Sequence, residues 1–152
     1  MVDAYNVIHA VPGLRKHLVN GLDAARDLLA ETVRSIHDAE GVRTALVLDS
    51  RSDRIEVEHP YELKSFEYLY APAALSADGA IERIAARAGA GTELSVASGD
   101  RMVRESVRAS GAHAISAMEL MDWAAACERR LTQDAARRRK ENEKVWRNGI
   151  DL

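Results

Sequence analysis

The sequence predicts an α/β protein, a three-layer α/β/α sandwich with a mostly parallel central sheet. Short apolar runs alternate along the chain with segments whose apolar residues recur at steps of three and four. This is the pattern of strands and helices joined in βαβ units. The run TALVLDS has no polar alternation, as expected of a strand that is buried on both faces. A chain of 152 residues is long enough to bury one substantial core.

The first predicted elements are a very short strand and a long amphipathic helix. Only two residues precede Asp3 in the sequence, so the first strand has little chain on its amino side. A helix is predicted over residues 22–36, and Gly41 is placed to end it. Its apolar stripe consists of Leu22, Ala25, Leu29, Val33 and Ile36. The strand TALVLDS follows and reaches its end at Asp49.

The middle of the chain predicts an exposed excursion, a third strand and a second helix. Residues 51–65 are polar and contain Pro60, and the alternating run FEYLYA after them is typical of a strand. Residues 75–91 have helical spacing, and the junction between strand and helix falls at Asp78. The predicted buried stripe of this helix consists of Ile81, Ile84, Ala85 and Ala88.

The last third of the chain repeats the alternation of strand and helix. ELSVA is predicted to be a strand that leaves through the tight turn SGD, and a helix follows from about Arg101 to Ala109. HAIS is a further short strand, and Ser116 with Glu119 forms an S-x-x-E capping box for a final helix. The expected apolar side of that helix consists of Met118, Met121, Ala125 and Leu131.

Charge divides the chain into a folded body, residues 1–131, and a basic tail, residues 132–152. The net charge is -3, yet residues 129–147 contain eight basic and three acidic side chains. Such asymmetry suggests a polyanionic partner, and a solvated helical extension explains it equally well. No apolar run approaches the roughly 20 residues of a membrane span, so we expect a cytoplasmic protein with no membrane partner. The single cysteine, Cys127, is expected to be a small buried hydrophobe.

Four aspartates lie at or just beyond the predicted carboxyl ends of different strands. They are Asp3, Asp49, Asp78 and Asp100. In an open parallel sheet these ends meet at one edge, where ligands bind. Converging carboxylates either take up protons or recruit a hard cation such as Mg²⁺, which prefers oxygen ligands. Each aspartate taken alone is equally consistent with a helix cap or a turn. Glu82 lies four residues after Asp78, on the same helical face.

Other chemistries lack the motifs that they require. The five histidines form no H-E-x-x-H pair, and the chain has no G-x-x-x-x-G-K phosphate loop. Ser98 in the SGD turn lacks the flanking G-x-S-x-G of a serine hydrolase. The acids are therefore the best candidates for chemistry.

Five ordered blocks of the sequence carry a resemblance to a known family. Over roughly Val2 to Leu131 the chain resembles the YacP-like NYN domain proteins, a branch of the PIN-like nucleases, in the blocks VDAYNVI, ALVLDS, SADGAIERIA, VASGDRMVRE and GAHAISAMEL. The resemblance implies a metal-dependent ribonuclease, and some relatives are similar to ribosome-associated endonucleases that cut messenger RNA during translation. One departure is Ala4, which stands where the family usually has glycine.

The resemblance implies roles for individual residues. Asp3, Asp78 and Asp100 fall on the family's metal-binding acids, for Mg²⁺ or Mn²⁺, and Asn6 is its characteristic asparagine. We expect Asp49 and Glu82 to orient metal-bound water, with Asn6 and Ser98 tuning the hydrogen bonds around them. The side chains expected to contact RNA, or the ribosome in the case of the tail, are Arg51, Arg54, Arg101, Arg104, Arg138, Arg139 and Lys140.

The expected function is therefore that of a metal-dependent endoribonuclease. An alternative is a noncatalytic RNA- or ribosome-binding adaptor with a degenerate nuclease site. A magnesium-dependent phosphatase or receiver domain fits less well, because Ala4 and Tyr5 stand where a second acid is expected and HAISAMEL contains no lysine. The oligomeric state is left open.

Overall fold

A computed structural model describes residues 1–150, with the side chain of Ile150 left out. The strands are β1 (Val2–Asp3), β2 (Thr44–Asp49), β3 (Glu56–Glu58), β4 (Phe66–Ala71), β5 (Ser95–Ala97) and β6 (His113–Ile115). The α-helices are α1 (Ala4–Ala10), α2 (Pro12–Arg15), α3 (Leu22–Glu40), α4 (Ser76–Ala88), α5 (Arg101–Ala109) and α6 (Ala117–Ile150). Short 3₁₀ turns occupy Lys16–Asn20 and Gly89–Gly91.

The strands form one sheet in the order β3-β4-β2-β1-β5-β6, in which β3 alone of these six is antiparallel to its neighbour. Along β2, Leu46 and Leu48 face a core that includes α1, α3 and α6, whereas Val47 faces a second core that includes α4 and α5. Helices therefore cover both faces of the sheet. The predicted three-layer α/β/α sandwich with a mostly parallel sheet is confirmed.

The segment after the first strand differs from the expectation. β1 has two residues, and α1 starts at once with Ala4, which is completely buried. The non-glycine residues with positive φ in the described chain are Glu62 and Ser76, so the position of Ala4 requires no glycine conformation. The departure from the family's glycine is thus accommodated by a helical backbone. Helices α1 and α2 are too short to give a clear period, and the sequence did not predict them.

Several helix boundaries and faces also require correction. α3 continues past the predicted end to Glu40, where Gly41 ends it in the left-handed conformation (φ 64°), as expected. Ile84 on α4 is 36% exposed instead of buried, and the buried side of that helix consists of Ala77, Ala80, Ile81 and Ala85. The polar excursion contains the short strand β3, which the sequence did not predict because all three of its residues are exposed.

The last helix, α6, begins with the predicted capping box. Ser116 Oγ accepts from the backbone N–H of Glu119 at 3.1 Å, and the Glu119 carboxylate accepts from the backbone N–H of Ser116 at 3.4 Å. Met118 was predicted to pack inward but is 54% exposed, and Ala125 is exposed as well. The buried seam of α6 instead consists of Ala117, Leu120, Ala124 and Cys127.

α6 crosses the predicted boundary between residues 131 and 132 without a break and continues to Ile150. The final two residues of the predicted tail, 151–152, lie outside the described residues. Within residues 1–150, no helix combines the length and apolar character needed to cross a membrane.

Candidate active site

The candidate site lies at the carboxyl edge of the sheet, where the parallel strands end. Asp3 is the last residue of β1 and Asp49 the last of β2, and Asp100 follows β5 as the N-cap of α5. Asp78 comes from the first turn of α4. Because β1 lies between β2 and β5 in the sheet, Asp3 occupies the centre of this edge.

Asp3 is a buried carboxylate held by two side-chain donors. It is 1% exposed, and its Oδ2 accepts from Asn6 Nδ2 at 2.6 Å and from Ser98 Oγ at 2.7 Å. Ser98 is itself completely buried, at the end of the neighbouring strand β5. Both donors act on the same oxygen, so Oδ1 of Asp3 is not engaged by either of them.

Asn6 joins Asp3 to Asp78. Its Nδ2 donates to Asp78 Oδ1 at 3.4 Å as well as to Asp3 Oδ2. Asn6 stands one turn into α1, three residues after Asp3, so the immediate start of that helix after β1 places the amide between the two carboxylates. The structure thus brings together two acids and the asparagine that the sequence singled out.

The two carboxylates perturb each other's protonation. Burial raises the pKa of Asp3 to about 6, the bonds from Asn6 and Ser98 oppose that rise, and the charge of Asp78 adds to it. The pKa of Asp78 is also raised, first by burial and further by the charges of Asp100 and Asp49, while its bond with Asp3 acts in the opposite direction. Burial and the neighbouring negative charge therefore favour the protonated form of Asp3 in slightly acidic solution.

Asp49 and Asp100 have capping roles at the rim of the site. Asp49 Oδ1 accepts from the backbone N–H of Ala77 at 2.7 Å and so anchors the start of α4, the helix that carries Asp78. Asp100 Oδ1 accepts from the backbone N–H of Met102 at 2.8 Å and caps α5. The capping alternative therefore holds for these two acids, and their charges still reach Asp78.

Gly99 is required by a close approach that the sequence did not reveal. A Cβ atom at this position would lie 2.6 Å from the backbone oxygen of Asn6 and 3.0 Å from the Cβ of Ala10. The turn after β5 therefore packs directly on α1. This contact sets the position of Ser98 and Asn6 relative to Asp3. The signal available in the sequence was the glycine between Ser98 and Asp100.

Tyr5 is a second residue that sequence reasoning left without a role. It is partly buried, and burial followed by the charge of Asp49 and the neighbouring Tyr70 raises the pKa of its hydroxyl. Arg26 Nη1 donates to Tyr70 Oη at 2.7 Å on the same side of the site. Tyr5 and Tyr70 thus lie near the acids on the side of Asp49.

The remaining predicted residues are dispersed around the site. Glu82 is exposed and makes no hydrogen bond or ion pair with residues 1–150, so its role stays a prediction. Arg104 Nη1 donates to the backbone oxygen of Ser98 at 2.8 Å, which supports the β5 turn. Arg101 pairs with Glu105 at 2.9 Å and Arg54 with Asp53 at 3.7 Å, both in solvent, and Arg51 is exposed.

The side chains that meet at this site supply only part of the ligand shell of a hard cation. Within residues 1–150, no three side chains of His, Cys, Asp or Glu lie close enough together to hold an ion unaided. Asp3 and Asp78 supply two carboxylates that are linked through the Asn6 amide, and burial, followed by neighbouring negative charge, raises the pKa of each. Mg²⁺ commonly takes one or two carboxylates and completes its shell with waters and substrate phosphates, so the pair suits this ion. The trio with Asp100 stays a prediction.

Comparison with known proteins identifies the family of this chain. The profile of the YacP-like NYN domain matches residues 1–151. The chain belongs to the YacP-like NYN domain family. NYN domains are nuclease-type domains, so the acid cluster of this NYN chain lies on a fold of that class.

Individual relatives of this NYN domain agree with the assignment. The chain is 29% identical over 132 residues to the protein YacP of Bacillus subtilis (strain 168). The aligned region covers 86% of this chain and 77% of YacP. It is similar to the crystal structure of Rae1 (YacP) from Bacillus subtilis, with a TM-score of 0.76 and 27% identity over 93% of this chain and 82% of that chain. A tryptophan-to-leucine mutant of Rae1 gives a TM-score of 0.75, again at 27% identity, over 92% and 82% of the two chains.

Proposed function

We propose that this NYN domain is a magnesium- or manganese-dependent endoribonuclease that hydrolyses RNA phosphodiester bonds. The observation that carries the proposal is the pair of carboxylates, Asp3 and Asp78, joined by the amide of Asn6 at the carboxyl edge of the sheet. Their mutual repulsion is unrelieved by any cationic side chain bonded to them within residues 1–150. A divalent cation would relieve it and would supply the positive charge that a metal-dependent nuclease uses.

The chain's own residues prepare the site. Asp3 and Asp78 would hold the ion, with Asp100 as a further ligand, and Asn6 and Ser98 orient the Asp3 carboxylate through its Oδ2 atom. Positive charge bound here would favour the ionised form of the Asp3 carboxylate. A bound divalent cation would supply the charge that activates a water for attack and neutralises the scissile phosphate. Asp49 acts as a positioning residue, since it anchors the helix that carries Asp78.

An acidic site needs cationic side chains to attract an RNA strand. Arg51 and Arg101 are the candidates with the most freedom, because both are exposed and the Arg101 ion pair lies in solvent and is weak. Arg104 is already bonded to the Ser98 backbone and supports the site from behind. Messenger RNA on the ribosome is the substrate that the resemblance to the family suggests.

The test combines metal binding with cleavage. Calorimetric titration of Mg²⁺ and Mn²⁺ into the purified protein, beside an RNA cleavage assay with and without ribosomes, is run on the parent and on Asp78→Asn. The matched control is Asp122→Asn, which removes an exposed carboxylate of α6. We expect metal binding and cleavage in the parent and the control, and at least a hundredfold loss of cleavage in Asp78→Asn.

The adaptor alternative gives a different result in the same experiment. The dispersed third and fourth acids favour it to the extent that no ready-made group of three ligands exists within residues 1–150. An adaptor would bind RNA but would neither bind Mg²⁺ at millimolar concentration nor cleave. That outcome would overturn the nuclease proposal.

A further inference from the structure

The second half of α6 is a free-standing helix. Every residue from 135 to 149 is exposed, including Val145 at 71% and Trp146 at 72%. We call residues 131–149 the C-terminal arm. The arm is anchored where it leaves the body: Arg130 Nη1 donates to Glu40 Oε1 and Arg130 Nη2 to the Ala39 backbone oxygen, both at 3.2 Å. Trp123 and Cys127 also direct hydrogen bonds to Glu40.

The helical period places five basic residues, from Arg129 just before the arm to Arg147 within it, in one stripe. Each residue advances about 100° around the axis, so positions 129, 133, 137, 140, 144 and 147 fall within a strip about 80° wide. These positions hold five exposed cations and one glutamine. We call the five cations the basic stripe: Arg129, Arg137, Lys140, Lys144 and Arg147. The stripe extends over about 27 Å of helix.

The acids of the arm lie outside the basic stripe. Asp134, Glu141 and Glu143 each project at least 40° beyond its margins on the same helical count, roughly. The stripe also points away from the body, because its centre is about 160° around the axis from the buried seam of α6. A row of like charges is therefore presented to solvent on a rigid rod, and nothing in residues 1–150 neutralises it apart from the exposed pair of Arg137 with Asp134.

The stripe divides the three tail residues that were predicted to contact RNA, and that prediction is not tested by the geometry. Lys140 lies on the stripe, whereas Arg138 and Arg139 lie about 160° and 100° around the helix from Lys140. Neighbours in sequence thus point to different sides. A straight polyanion lying along the arm can contact the stripe and leave these two arginines free.

The stripe is also remote from the acid cluster. α6 starts directly after β6, at the carboxyl edge, and Arg130 meets the end of α3, which precedes β2 at the opposite edge. At about 1.5 Å per residue, the stripe begins roughly 18 Å from the start of α6 and extends to about 45 Å from it. A short RNA segment bound at the acids cannot also reach the stripe. Only a long or folded RNA can contact both.

We propose that the basic stripe is a second RNA contact that binds the phosphate backbone of a double-helical RNA. This inference rests on the proposed function, because it takes RNA as the partner. Trp146 lies about 140° from the stripe centre, so no aromatic side chain stacks bases there, as a single-strand site would require. Double-helical RNA is recognised through its backbone and shape, and a rigid cationic row suits that mode. The apolar side of the arm is interrupted by Arg138, Asn142 and Gly149, which disfavours insertion into a membrane surface.

The test measures binding alone. Fluorescence anisotropy with a labelled RNA duplex is carried out in EDTA, so that neither metal binding nor cleavage enters. Lys140→Gln/Lys144→Gln is compared with Arg138→Gln/Arg139→Gln, which removes the same charge from other sides of the same helix. We expect the stripe variant to bind about tenfold more weakly and to lower the slope of log affinity against log salt by about two, with the control close to the parent. Helix content by circular dichroism should be equal in all three proteins.

Four other outcomes would overturn the proposal. Equal losses in both variants would mean attraction by net charge without a stripe, and no loss in either would remove the arm from RNA binding. A larger loss for single-stranded RNA than for the duplex would overturn the duplex assignment. Binding to vesicles containing anionic lipid, without binding to the duplex, would assign the arm to membranes. Stripe binding in a protein that cleaves nothing would leave this inference standing and remove the nuclease proposal.

Discussion

Ser98 Oγ donates a hydrogen bond to Asp3 Oδ2 at 2.7 Å, and both residues are buried at the ends of adjacent parallel strands. The same hydroxyl accepts from the backbone N–H of Asp100 at 3.0 Å. One serine therefore supports the central acid and shapes the turn that carries another acid. This relationship defines the interior of the candidate site.

Removal of the Ser98 hydroxyl should destabilise the fold and raise the pKa of Asp3. Ser98→Ala leaves a buried carboxylate with one donor fewer, so we expect the free energy of unfolding to fall by about 1–3 kcal/mol. The pKa of Asp3 should rise further, since the bond from Ser98 lowers it. Urea unfolding measures the first effect, and Ser110→Ala, which removes a bond within α5, is the control, expected to cost less than about 1 kcal/mol. Equal losses would contradict the special role of Ser98.

Asn6 should control metal affinity more than stability. Asn6→Ala removes the donor shared by Asp3 and Asp78, and the two carboxylates are then free to move apart. We expect Mg²⁺ affinity to fall by about 10- to 100-fold, the usual effect of losing a group that orients a ligand. Calorimetry on the variant and on the exposed control Asn20→Ala measures this effect. Unchanged affinity in Asn6→Ala would show that the bridge does not organise a metal site.

The raised pKa of Asp3 predicts a pH dependence of stability. The pKa of Asp3 in the folded protein, about 6, exceeds the ordinary value of 3.8, so protonation of Asp3 favours the folded state. This contribution to stability is complete below the unfolded pKa and is lost as the pH rises through about 6, with a magnitude of about 3 kcal/mol. Urea unfolding in EDTA from pH 4 to 7 should show it in the parent and not in Asp3→Asn. If the free energy of unfolding depended on pH in the same way in both proteins, Asp3 would not be the group responsible.

Gly99 should resist substitution for steric reasons. Gly99→Ala places a Cβ atom 2.6 Å from the Asn6 backbone oxygen, so α1 or the turn must shift. We expect a loss of about 1–3 kcal/mol in the free energy of unfolding, together with weaker Mg²⁺ binding. Gly13→Ala is the matched control, because a Cβ atom there meets nothing within 4 Å and alanine favours the helix α2. A Gly99→Ala protein as stable as the Gly13→Ala protein would disprove the close contact.

Local patterns in the sequence were sufficient for much of the fold. The continuous apolar run at β2, the αL glycine after α3, the capping box of α6 and the bounds of α5 were all predicted, because each depends on residues within one or two turns of one another. The sequence also placed acids at strand ends, and so indicated the edge on which to look for a site.

Only the tertiary structure decided which side chains meet there. The contact of Asp3 with Ser98 spans 95 residues, and that of Asn6 with Asp78 spans 72. Both depend on β1 lying beside β5 and β2, an order that no local period encodes. The fold also showed that Asp49 and Asp100 cap helices and that Ile84 and Met118 face solvent.

The sequence by itself determined the sandwich, the positions of the acids and the presence of a basic segment at the end of the chain. The tertiary structure decided that two acids share Asn6 and that α6 carries the basic segment away from them. The physical reason is the range of the interactions. Periodicity and capping act between neighbours in the chain, whereas strand order and the direction of α6 result from the burial of apolar surface over the whole domain.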